Sequence, residues 1–173
     1  MFDAKNPTVA PYAKSGEVRL RITAKAGTAD EADRMCTPVV DEICRRLGDV
    51  VYGTDMNSIE ERVVALLKEK GKKIATAESC TAGYIPKRLT DIPGASEVFE
   101  CGIVSYSNDI KTKLLGVSPK TLETYGAVSE QTAREMALGA KHVSGADIAI
   151  STTGLAGPGG DGVLPGGLSF AAV

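Results

Sequence analysis

Ala75-Thr76-Ala77-Glu78-Ser79-Cys80-Thr81-Ala82-Gly83 is the stretch on which the reading of the fold turns. Residues 73–77 form an apolar, partly β-branched run, the pattern of a short buried strand. The run stops at a Ser-Cys-Thr cluster, and a helical pattern follows from Thr81 to about Thr90. A strand passing straight into a helix puts small nucleophilic side chains at the strand's C-terminal end. Open α/β sheets bind their ligands at that edge. Helix N-terminal N–H groups there can hold an anion or a developing oxyanion. Ser and Thr are also favoured N-caps. On this stretch alone, Ser79 or Thr81 therefore reads as an N-cap before it reads as a nucleophile.

Before this stretch, Ser58-Ile59-Glu60-Glu61 has the pattern of a capping box, and Ile59, Val63, Leu66 and Leu67 line one helical face up to Gly71. Pro86 falls inside the helical pattern after Thr81, where it predicts a bend. Asp91-Ile92-Pro93-Gly94 reads as a turn, and a second strand lies within residues 98–106. Asn108 is placed to cap a short helix carrying Ile110, Leu114 and Leu115. Ser118-Pro119 opens another, and Ser129 caps a longer helix through Val143. Residues 147–151 read as a third strand. It runs into Thr152-Thr153-Gly154-Leu155-Ala156-Gly157-Pro158-Gly159-Gly160-Asp161-Gly162, and residues 167–173 read as a fourth strand. Helices alternating with strands predict an α/β fold, a layered α/β/α sheet domain over residues 57–173.

Residues 1–53 read as a separate small module. Pro7, Pro11 and Gly16 mark residues 1–15 as an irregular leader. Residues 17–24 alternate polar and apolar as a half-buried strand does. Thr28, with Glu31 three positions on, opens a helix to about Leu47, and Gly48 closes it. Val50-Val51-Tyr52 reads as a short strand, which makes the module β-α-β.

The chain has 173 residues, with 20 Lys and Arg against 22 Asp and Glu. That balance argues against broad electrostatic binding to nucleic acid. No apolar run reaches membrane-spanning length, and the first residues lack a signal-peptide pattern. The four cysteines, Cys36, Cys44, Cys80 and Cys101, form no C-x-x-C pair, so reduced thiols in a cytoplasm are expected, with no metal site. The single histidine, His142, sits near a helix C-terminus, where a cation is favourable. A base for nucleophilic chemistry is therefore sought among Lys, Tyr and carboxylates.

Three strands are predicted to end in polar or glycine-rich loops: Ser79-Cys80-Thr81, Tyr106-Ser107-Asn108-Asp109-Ile110-Lys111, and residues 152–162. If the strands are parallel neighbours, all three loops share one edge. The glycine-rich loop lacks a G-K-[ST] ending and a dinucleotide fingerprint. It is either a loop that lets backbone N–H groups approach an anion, or a flexible loop of turn residues. Lys111 falls in the first turn of its helix, where a cation is disfavoured. That placement, with desolvation, would lower its pKa and make it a usable base. Tyr106 offers a hydroxyl to the same edge, or is a rim aromatic in water.

Taken together, Thr76-Ala77-Glu78-Ser79-Cys80-Thr81-Ala82-Gly83, Asp91-Ile92-Pro93-Gly94-Ala95-Ser96, Val104-Ser105-Tyr106-Ser107-Asn108 with Lys111, Leu115-Gly116-Val117, Gly126-Ala127-Val128-Ser129-Glu130 and Thr153-Gly154-Leu155-Ala156-Gly157-Pro158-Gly159-Gly160 resemble the C-terminal domain of the CinA (competence/damage-inducible) family. This is the nicotinamide-nucleotide amidase, or NMN deamidase, domain. Residues 5–53 are similar to the KH-type module that precedes it in long family members. The resemblance implies hydrolysis of the carboxamide of nicotinamide mononucleotide (NMN) to nicotinic acid mononucleotide and ammonia. It implies Ser79 as nucleophile, Lys111 as general base and Tyr106 assisting, with Cys80 the rival nucleophile by adjacency. Thr81, Asn108, Thr153, Gly154, Gly157 and Gly159 are the expected substrate contacts. No cofactor is expected; the expected partners are a small nucleotide and further copies of the chain. The family domain continues beyond the point reached by Val173, so the domain here is expected to be incomplete at its C-terminus. The molybdopterin-binding-like domain of long members, with its attributed pyrophosphatase activity, is not carried over.

The competing expectation is a catalytically inactive fragment with a structural, oligomerisation or nucleic-acid-binding role. KH domains clamp nucleic acid with a G-x-x-G loop. Residues 1–53 contain none, which favours a spacing or dimerisation role for that module.

Overall fold

The structure is a computed structural model that describes residues 4–14 and 16–173. The chain divides into two compact units between Thr54 and Asp55. In the first, β1 (Thr8–Lys14) and β2 (Glu17–Thr23) form an antiparallel hairpin with Thr8 opposite Thr23 and Lys14 opposite Glu17. Val9, Pro11 and Ala13 pair with Ile22, Leu20 and Val18, so one face of the hairpin is apolar. Helix α1 (Ala29–Leu47) opens with Thr28 Oγ accepting from Glu31 N–H, while the Glu31 carboxylate accepts from Gly27 N–H.

Two expectations for this unit are corrected. The stretch read as an irregular leader contains β1. A two-stranded ribbon leaves each strand an unpaired edge, which accommodates the N–H that Pro11 lacks. The Asn6 side chain extends the pairing, donating to Lys25 C=O and accepting from Lys25 N–H, each at 2.9 Å. The strand expected at Val50-Val51-Tyr52 does not form; residues 48–50 are a 3₁₀ turn instead. Val50 is 75% exposed, so nothing is gained by burying it in a sheet. Tyr52 docks through its hydroxyl, which donates to Glu17 at 2.8 Å. The order is therefore β-β-α rather than β-α-β.

In the second unit, α2 (Ile59–Lys70) is capped by Ser58 and stopped by Gly71 in the left-handed conformation. Strand β3 (Ile74–Glu78) is buried at every residue, as the apolar run predicts. Next come α3 (Tyr84–Thr90), β4 (Phe99–Val104), α4 (Asn108–Leu115), α5 (Pro119–Tyr125), α6 (Glu130–Ser144), β5 (Ile148–Gly154) and β6 (Ser169–Ala172). The sheet order is β4-β3-β5-β6, with the first three strands parallel and β6 antiparallel to β5.

Successive side chains of a strand face opposite sides, and the two apolar clusters follow this. Ile74 packs with Val64, Leu67, Leu89, Ala95 and Val98 beside α2 and α3. Ala77 and Ala149 pack with Leu115, Val117, Met136 and Ala140 of the α4 to α6 side. Helices on both faces give the layered α/β/α arrangement. The chain leaves β3 to one side for β4 and returns to the other side for β5. The C-terminal end of β3 is thus a topological switch point, where open sheets form a crevice.

Three local expectations also change. Helix α3 starts at Tyr84 rather than Thr81, because Ala82 (φ 51°) and Gly83 (φ 94°) are left-handed and interrupt helical bonding. Pro86 then falls in the first turn, where its missing N–H has no intrahelical role, so it bends nothing. The cap of α4 is Ser107, whose Oγ accepts from Ile110 N–H at 3.3 Å; Asn108 is the first helical residue. Among the described residues, no helix is long and apolar enough to cross a membrane.

Candidate active site

Glu78 pairs with Val104 on one side and with Thr152 on the other, so β3 and β4 end level and β5 runs two residues further, to Gly154. The loops after them share one edge, as the sequence leads one to expect of parallel neighbours. Ser79 follows β3 directly, and its N–H donates to Thr152 C=O at 2.9 Å. Thr81 on the same turn shares a 2.6 Å hydrogen bond with the Thr152 hydroxyl. Thr152 therefore fixes this turn at two points. The chain after β4 runs through Ser105 and Tyr106 into α4, which delivers Lys111 to the same place.

Lys111 is 1% exposed and Ser79 7%. Lys111 Nζ lies 3.1 Å from Ser79 Oγ, 2.9 Å from Ser105 C=O and 3.0 Å from Tyr106 C=O. Burial pushes the Lys111 pKa down from its ordinary value, opposed by the nearby Cys80 thiol, whose negative form favours the ammonium. A carbonyl only accepts, so the two carbonyls take two N–H bonds from Nζ. A neutral amine has two N–H groups and one lone pair, and the lone pair then remains for the Ser79 O–H. The arrangement is that of a nucleophile with its base.

The other expected site residues are placed as follows. Tyr106 meets Lys111 through its main-chain carbonyl, and its side chain is turned out, the residue being 75% exposed. Asn108 stands exposed at the start of α4. Thr153 is buried, and its hydroxyl donates to Ala127 C=O at 2.6 Å, so it is committed to the scaffold beside α6. Gly154 ends β5 where a Cβ would lie 2.7 Å from Leu168 C=O, so its role there is close pairing with β6. Gly157 and Gly159 lie in the 155–168 connection, which is closed by Leu155 N–H to Leu168 C=O and Gly167 N–H to Leu155 C=O. Cys80 is partly buried, and no cysteine among the described residues is in a disulfide. Among the described residues, no group of three or more His, Cys, Asp or Glu side chains is placed to hold a metal.

Sequence reasoning missed Thr152, Ser105 and Glu78. Ser105 acts through its main-chain carbonyl, which leaves no mark on residue type, and Thr152 through its carbonyl and a hydroxyl whose partner, Thr81, lies far off in sequence. Glu78 did leave one: a carboxylate closing an apolar strand is a charge that the fold must bury. It is 1% exposed, and one of its oxygens accepts from Ile85 N–H at 3.2 Å.

Residues 56–173 match the family model described as the CinA C-terminal domain, and residues 1–53 that of the damage-inducible protein CinA KH domain. The chain is 51% identical over 160 residues to a CinA-like protein of Desulfovibrio desulfuricans, covering 92% of this chain and 38% of that protein. It is 54% identical over 175 residues to a putative competence-damage inducible protein of Clostridium beijerinckii, covering 100% and 43%. The chain thus spans about two fifths of the length of these relatives. Among solved structures, competence/damage inducible protein CihA from Agrobacterium tumefaciens is similar at 43% identity and a TM-score of 0.63, covering 69% of this chain and 75% of that one.

Proposed function

This chain belongs to the CinA family, and from that premise we propose that its second unit is an amidohydrolase acting on the carboxamide of NMN, with Ser79 as nucleophile and Lys111 as base. The observation that carries the proposal is the buried Lys111 Nζ, within hydrogen-bond reach of two carbonyls and of Ser79 Oγ.

The steps follow from that geometry. Lys111 Nζ takes the Ser79 proton through its lone pair as Ser79 Oγ bonds to the amide carbon. The carbonyl electrons move to oxygen, and the oxyanion needs donors. The N–H groups of Cys80 and Thr81 follow the nucleophile on the same turn and have no acceptor among the described residues. Collapse of the intermediate breaks the C–N bond, and Lys111 returns its proton to the nitrogen, which leaves as ammonia. Water then attacks the Ser79 ester with Lys111 again as base, and Ser79 recovers its proton. Tyr106 holds Lys111 through its carbonyl, while Thr81, Asn108 and the glycines of the 155–168 connection border the same edge as substrate contacts. Thr153 and Gly154 support that edge from behind.

The test is incubation of the chain with NMN in ¹⁸O-water. The expected result is ammonia in step with nicotinic acid mononucleotide carrying one ¹⁸O in its carboxylate. Intact NMN beside a folded chain would overturn the reading.

A further inference from the structure

Glu78 is a charged side chain buried at the catalytic edge, and the mechanism above does not use it. One oxygen accepts from Ile85 N–H; the other, Oε1, is buried without a partner among the described residues. Thr76 Oγ, two residues back on the same strand face, is likewise unpartnered. Burying a carboxylate with a single acceptor bond is unfavourable, so the position needs a reason.

The reason lies in what Glu78 connects. Its carbonyl accepts from Ser105 N–H at 2.8 Å, tying it to the end of β4. Its side chain reaches over Ser79, Cys80, Thr81, Ala82 and Gly83 to the first turn of α3. That helix begins at a glycine with no side chain to cap it and has no acidic residue in its first turn. The enclosed turn includes Ala82 at φ 51°. A non-glycine residue in the left-handed region persists only where its surroundings hold it.

We propose that Glu78 is a positioning residue: its buried carboxylate clamps the left-handed turn between β3 and α3 and so keeps Ser79 Oγ against Lys111 Nζ. The proposal rests on the amidase reading only for its activity arm. If the clamp opens, water reaches Lys111 and its titration moves up toward the ordinary lysine value. Deleting the anion would by itself disfavour the ammonium and move the titration down, so the sign separates positioning from charge. Among the described residues, Cys80 is the titratable neighbour whose charge acts on Lys111. A simple helix cap would cost stability without moving Lys111 at all.

The experiment uses the full chain as Glu78→Ala, Glu78→Gln and Glu78→Asp. It reads kcat and KM for ammonia release from NMN, and the Lys111 titration midpoint by ¹³C NMR. Glu78→Gln keeps an acceptor for Ile85 N–H but not the charge; it is expected to keep kcat and KM near wild type, with a midpoint that does not rise. Glu78→Ala is expected to lower kcat about 10²-fold with little change in KM and to raise the midpoint. Glu78→Asp keeps the charge but is one methylene short; it is expected to follow Glu78→Ala and carries the test if the alanine variant fails to fold. An unmoved midpoint in folded Ala and Asp variants overturns the proposal, even where NMN is hydrolysed. A raised midpoint in a protein that hydrolyses no NMN keeps the clamp and removes the amidase reading.

Discussion

Lys111 Nζ has three oxygen neighbours, and two of them are main-chain carbonyls that only accept. As an ammonium it donates to all three. As an amine it donates to the carbonyls and accepts from Ser79. Burial favours the amine. Hydrolysis is therefore expected to rise with pH through a midpoint below the ordinary lysine value of 10.5, read as a pH–rate profile of kcat/KM. A profile flat across the alkaline limb would contradict this. Stability shares the sign. The folded pKa lies below the unfolded one, so the folded state binds fewer protons between the two. Lys111's favourable contribution is complete above 10.5 and is lost as pH falls through the depressed value. Lys111→Arg keeps a cation that does not deprotonate, and is expected to lose about 10²- to 10⁴-fold in kcat in the ammonia assay. Ser79 and Lys111 stand out in sequence because one follows a strand and the other lies in the first turn of a helix, at the edge the loops share. Their contact does not, because it depends on how far the chain from Ser105 to Lys111 folds back.

At the scale of elements, α4 aims Lys111 and α6 supports α4. A Cβ on Gly139 of α6 would lie 1.9 Å from the Leu115 carbonyl oxygen at the end of α4. Neither backbone can yield without moving a helix. Gly139→Ala is expected to cost about 1–3 kcal/mol, read by urea denaturation, and to lower kcat by shifting Lys111. A stable and fully active variant would show that the two helices are not in close register. The helices were legible wherever Ser or Thr caps and glycine stops bracket an apolar stripe, as in α2 and α6. The start of α3 was not, because left-handed Ala82 carries no composition signal. Nor was β1, because Pro11 reads as a breaker until the strand is known to have a free edge. At Val50-Val51-Tyr52 the β-branched residues misled: strand propensity needs a surface to pack on, and Val50 has none.

At the scale of the whole molecule, the switch point after β3 explains why the turns after β3 and β4 meet beside Thr152 of β5. The alternation of strands and helices is visible in sequence. The strand order that puts β3 between β4 and β5 is set by the crossover through α4, α5 and α6. Cluster formation on both faces of β3 then fixes the edge on which Ser79 emerges. The division at Thr54 and Asp55 leaves residues 51–57 outside any helix or strand. Domain boundaries fall where few contacts cross, so limited proteolysis is expected to cut within this stretch first. Mass spectrometry of the early fragments checks it, and first cuts inside either unit would contradict the division.

The central claim is that Ser79 and Lys111 together perform the hydrolysis. It is tested most directly by ammonia release from NMN in folded Ser79→Ala, Lys111→Ala and Cys80→Ala proteins beside the unaltered chain. The account predicts that the first two variants lose release while Cys80→Ala keeps it. Release that survives Ser79→Ala and disappears with Cys80→Ala would contradict the account and pass the role of nucleophile to the neighbouring thiol.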